Sequence, residues 1–124
     1  MSYWYHISDA DFRIPAENVE EAYRRVADRA IRDDLHAFVE SADNLVDLLE
    51  LIGIRAHETE GDYVVIWGGE SKYAFRFPYI ATLGDLVADD SYVVWQGEGG
   101  ADFVRQIVVN GEVREQQGQV TFGI

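Results

Sequence analysis

The sequence predicts an α+β domain: an antiparallel sheet of five or six strands, two main helices and a C-terminal β-meander. Three observations carry that expectation. Apolar residues recur at three- and four-residue spacing up to Ile52, and after Gly53 the pattern switches to short β-rich runs. Asn110-Gly111 lies between two such runs, the dipeptide that a type I′ hairpin turn favours because both central residues need positive φ. The 124 residues hold no repeat, low-complexity tract or linker, so a single domain spanning 1–124 is expected.

Tyr3 to Ile7 is aromatic and β-branched and reads as a first strand, with Asp9 to Arg13 turning the chain toward Ile14-Pro15. The helix that follows has two possible starts. Pro15 suits a first helical position, and Asn18-Val19-Glu20-Glu21 reads as a capping box. Val19, Ala22, Tyr23, Val26, Ala27 and Ala30 then form one apolar stripe, and Glu20–Arg24, Glu21–Arg25 and Asp28–Arg32 are expected to pair along the outer face. Asp33 to Glu40 carries no assignable pattern. A second helix is expected over Ala42 to Ile52, burying Leu45, Leu48, Leu49 and Ile52 and ending at Gly53.

Strands are expected at Arg55 to Thr59 and Asp62 to Trp67, joined at Glu60-Gly61-Asp62, with Gly68 to Lys72 breaking the second. Tyr73 to Phe77 reads as strand or loop, and Tyr79 to Val87 as a short helix entered at Pro78. The meander runs Ser91–Trp95, a turn at Gly97–Gly100, Phe103–Val109, Asn110-Gly111, and a last strand ending near Phe122-Gly123-Ile124. Tyr63-Val64-Val65-Ile66-Trp67 and Tyr92-Val93-Val94-Trp95 are apolar at every position, whereas a half-buried strand alternates. Either the helices cover both faces of the sheet, or one face stays uncovered and meets a partner, which would include a second copy in a homodimer.

Composition narrows the function. A formal net charge of −13 repels phosphate backbones and anionic membranes, so direct nucleic-acid or membrane binding is not expected. Residues 33–62 concentrate it, with nine acids against Arg55 alone. Simple solubility, docking on a basic protein surface, and imitation of nucleic acid all remain open readings of that charge. With no cysteine, disulfide and thiolate chemistry are excluded, and a reducing, cytoplasmic setting is expected. The N-terminus lacks the basic and apolar regions of a signal peptide, and no apolar run reaches membrane-spanning length.

Chemistry-bearing motifs are sparse. His6, His36 and His57 show no metal-ligand spacing, so no metal and no cofactor is expected. Gly68-Gly69 and Gly97-x-Gly99-Gly100 lack the following helix and Gly-Lys-Ser/Thr of a phosphate loop and read as hairpin turns. Ser71 and Ser91 lack a nucleophile-elbow context. No catalytic residue is therefore assigned. The candidate partner-binding residues are Asp43, Asp47 and Glu50, which helical spacing would place in one acidic stripe, together with Trp4 as an aromatic anchor. The alternative is a small-molecule-binding or hydrolytic domain with His57, Glu98 and Asp102 around a pocket at the sheet edge.

Ile14-Pro15, Gly53, Ser91-Tyr92, Trp95, Gly97-Glu98, Gly100 and Gly111 together resemble the pattern of a group of small acidic proteins of bacteria and their phages, uncharacterised in function. Asp90 and Val104-Arg105 depart from it, standing where a glycine and a Trp-Arg pair would be expected. The resemblance implies a phage or mobile-element setting, with the protein a non-enzymatic binder of a host protein in the cytoplasm of a bacterium or infected cell, as an inhibitor or nucleic-acid mimic.

Overall fold

The computed structural model describes residues 3–59 and 63–119, and it has the expected α+β architecture. In chain order the elements are β1 (Trp4–Pro15), α1 (Ala16–Arg32), α2 (His36–Ser41), α3 (Leu45–Ile52), β2 (Ile54–Thr59), β3 (Tyr63–Lys72), α4 (Phe77–Ala81), a 3₁₀ turn (Gly84–Leu86), β4 (Tyr92–Gly97), β5 (Asp102–Val109) and β6 (Glu112–Gln119). The six strands form one antiparallel sheet in the order β2-β3-β1-β4-β5-β6.

β1 corrects the expectation of a turn at Asp9 to Arg13. It continues as a central strand because the polar residues there are one half of an alternation. Phe12 and Ile14 enter the core, while Asp11 and Arg13 point to the other face. A β-bulge makes this possible. Ile7 pairs with Trp95 and Asp9 with Val94, so β1 carries one extra residue at Ser8.

α1 begins after Pro15, which is extended, and Asn18 is not its cap: its side chain donates to the Leu86 carbonyl at 2.8 Å. Of the expected surface pairs Glu21–Arg25 forms, at 2.9 Å, whereas Arg24 turns to Glu21 and to Asp28. The unassigned stretch before α3 contains the short helix α2. α3 is shorter than expected. Asn44 caps it, accepting from the Asp47 backbone N–H at 2.9 Å, and Gly53 closes it at φ 108°. Its stripe Leu45, Leu48, Leu49 and Ile52 is buried as expected.

β3 continues through Gly68-Gly69, with a β-bulge at Trp67 against β2, which overturns the turn expected there. The glycines serve close approach of two backbones: Gly69 sits at φ 147°, and a Cβ on it would meet the Gly53 carbonyl oxygen at 2.7 Å. The Glu70 N–H donates to that same carbonyl at 3.1 Å. The expected helix Tyr79 to Val87 is split into α4 and the 3₁₀ turn. The β5–β6 hairpin is as expected, with Asn110 and Gly111 at φ 53° and 78° and Val108 opposite Val113. The turn expected at Glu60-Gly61-Asp62 and the strand end at Phe122-Gly123-Ile124 lie outside the described residues.

A single core cluster joins the buried stripes of α1 and α3, α4, and one face of the sheet. Trp95 lies at its centre, fully buried, with its indole N–H donated to Gln106 Oε1 at 2.7 Å; Gln106 Nε2 in turn donates to the Phe77 carbonyl at 2.8 Å. That pairing is what allows a polar side chain to be buried here.

Candidate functional site

Among the described residues every helix packs on the same face of the sheet, so the doubly apolar strands are covered on one side only. In β3, Val64 and Ile66 belong to the core, while Tyr63, Val65 and Trp67 project from the opposite face. Trp67 is 50% exposed and Tyr63 40%. Cross-strand register extends this surface. Val65 lies beside Arg13 and His57, and Tyr92 beside Asp11 and Ile107. Arg55 stacks over the Trp67 ring with its guanidinium carbon 5.7 Å from the centroid.

The charge of this face differs from that of the chain. Among the described residues its acids are Asp9, Asp11, Glu70 and Glu112. Its bases are Arg13, Arg55, Lys72, Arg105 and Arg114. Over the described residues the face is thus close to neutral, and most of the −13 of the protein resides elsewhere. Two tyrosines are tied to carboxylates around the sheet. The Tyr92 hydroxyl donates to Asp9 at 3.1 Å and the Tyr3 hydroxyl to Asp102 at 2.6 Å, and each bond raises the phenol pKa above its ordinary value.

The acidic stripe expected on α3 is not formed as one unit. Asp43 precedes the helix, outside its capping residue. Asp47 is half-buried in the first turn, where its carboxylate accepts from the Asp43 backbone N–H at 3.4 Å. Part of the acidity is therefore explained by the helix itself: Asp47 satisfies an N-terminal donor and sits at the positive end of the helix dipole. Glu50 stands apart, exposed near the C-terminal end.

The structure does bring Glu50 and Trp4 together. Both line an open cleft of about 430 Å³, with Gly53, Arg55, Glu70 and Arg76. Arg76 is committed to the fold: its Nε donates to the Ile52 carbonyl, its backbone N–H donates to Ser71 Oγ at 2.9 Å, and burial lowers its pKa. A cationic side chain on a terminal carbonyl of α3 is a C-cap in effect.

His57, Glu98 and Asp102 are not brought together. His57 lies exposed on β2, with β3 and β1 between it and the β4–β5 hairpin that carries the two acids. Glu98 lines one cleft with Trp4 and His6, and Asp102 another with Tyr5 and Gln117. Trp67 and Arg55 were missed as site residues. Their signal was the unbroken apolar run Tyr63 to Trp67, which marks a strand with a use for both faces.

Compared with protein families, curated proteins and solved structures, the chain matches none. The resemblance to small acidic bacterial and phage proteins rests on its motif residues alone.

Proposed function

We propose that this protein is a non-enzymatic binding protein whose contact surface is the uncovered face of its sheet. One observation carries the reading: Trp67, Tyr63 and Val65 stand out on a six-stranded sheet whose helices all pack on the other side among the described residues. Large apolar side chains grouped on one exposed face favour association, because burying them removes apolar area from water. The acidic side of the molecule is the weaker candidate, since Asp47 is engaged in capping and Asp43 lies off the helix. The phage or mobile-element setting belongs to this proposal too, with a host protein or a second copy of the chain as the occupant of that face; the motif resemblance supports the setting and the host partner.

The test is capture from a bacterial lysate with three tagged baits, each co-expressed with an untagged copy. They are the unaltered chain, a face variant (Trp67→Lys with Val65→Lys), and an acid variant (Asp43→Asn, Asp47→Asn, Glu50→Gln). Loss of captured protein with the face variant, and retention with the acid variant, is expected. Loss confined to the acid variant, or capture indifferent to both, overturns the reading.

A further inference from the structure

We propose that the occupant of the uncovered face is a second copy of this chain, packed sheet against sheet about a two-fold axis along β4, with both helical layers outward. This rests on the reading of the face as a contact surface. The decisive feature is a row across three neighbouring strands. Asp9 on β1 pairs with Val94 on β4, which pairs with Arg105 on β5. All three lie on the uncovered face and read acid, apolar, base. A two-fold axis along β4 superposes this row on its own copy with the order reversed. Asp9 of each chain then faces Arg105 of the other, and Val94 meets its own symmetry mate. An isologous interface requires such self-complementarity.

Arg105 is available for that role, since among the described residues its guanidinium donates only to the neutral side chain of Gln116. Among the described residues Asp9 accepts one hydrogen bond, from Tyr92, and a carboxylate has capacity for more.

Charge and area agree. A near-neutral face lets two chains of −13 each meet without apposing their acids, because the acidic helical layers end up on opposite outer sides. A strongly basic partner would find little on this face to attract it. About an axis along β4, five strands (β3, β1, β4, β5 and β6) lie over strands of the mate and β2 overhangs, so at about 4.8 Å spacing and some 20–25 Å length the overlap is roughly 500–600 Å² per copy. Two copies bury about 1,100 Å² in all, above the roughly 1,000 Å² that a specific interface needs and just under the usual range of stable ones.

Sedimentation equilibrium of the full chain up to about 100 µM tests the proposal, with circular dichroism confirming that each variant is folded. The unaltered chain is expected to dimerise. Asp9→Arg and Arg105→Glu should each weaken dimerisation about tenfold or more, because each sets like charges against each other. The double variant Asp9→Arg/Arg105→Glu should restore it, since the row is then base, apolar, acid and again self-complementary. A monomeric unaltered chain, single variants that dimerise unchanged, or a double variant no better than the singles overturns the assignment. In a monomeric outcome the capture experiment decides separately whether the face binds a different protein, so the two readings fail independently.

Discussion

Trp95 and Trp67 sit on strands of one sheet and have opposite surroundings. Trp95 is fully buried, stacked against Phe77 with ring centroids 4.8 Å apart and hydrogen-bonded to Gln106. Trp67 is half exposed, and its contact is the Arg55 guanidinium on the same face. The helix-covered face is where the chain spends its apolar residues on its own stability. The uncovered face has the same residue types without an internal task. Apolar character therefore marks two different duties here, and cover by helices tells them apart.

The largest expected effect separates those duties directly. Trp95→Ala should destabilise the fold by about 3–5 kcal/mol through the cavity it leaves. Trp67→Ala should cost less than about 1 kcal/mol in a monomeric sample, since half of its surface is already in water. Urea denaturation at low protein concentration measures both, and equal losses would break the distinction.

Next in size, Gln106→Leu should cost about 1–3 kcal/mol by orphaning the Trp95 indole N–H and removing the amide's bond to the Phe77 carbonyl, despite adding apolar volume. Thermal melting is the readout, and a rise in Tm would show that the buried amide is dispensable.

The acidic side is sharpened by a smaller pair of changes. Asn44→Ala should cost about 1 kcal/mol as a lost N-cap, whereas Asp43→Asn should change stability by less than about 0.5 kcal/mol. Similar losses from both would mean that Asp43 also holds the helix start.

The smallest effect is on pH dependence. Hydrogen bonds from Arg24 and Arg25 hold the Glu21 carboxylate at about 2, and Arg25 lowers Asp85 as well. A depressed folded-state pKa contributes stability that is present above the ordinary value, near 4.5 for Glu21, and lost as pH falls toward 2. Tm should therefore fall across that window, and Arg25→Met should flatten the slope. Because Glu21 is 37% and Asp85 57% exposed, solvent screens both pairs and the change is small.

Much of the fold was legible because local physics decides it. The α1 and α3 stripes, the Gly53 stop and the Asn110-Gly111 turn depend on residues close in sequence. The errors fell where distant contacts decide. Asp9 to Arg13 looked like a turn because acids are poor strand formers, yet two neighbouring strands hold that segment extended. Gly68-Gly69 looked like a break until the approach of Gly53 gave the glycines a reason. Of the candidate site, Trp4 and Glu50 were named from sequence and do share a cleft. The row Asp9–Val94–Arg105 was not readable, since its members become neighbours only through the register of three strands.

The place of β1 has a consequence for how the chain reaches its native state. β2–β3 and β4–β5–β6 are each joined by short connections and can zip up locally, but β3 and β4 do not pair; only β1 lies between them. β1 is therefore a keystone: its insertion between β3 and β4 needs partners as remote as Lys72 and Gly97 in place to receive it. Topologies closed by such non-local pairing fold slowly, in milliseconds to seconds, because the loop entropy is spent before the contacts form. Until that insertion the two half-sheets expose unpaired inner edges, so the interval before β1 docks is when this chain is most open to strand-swapped association.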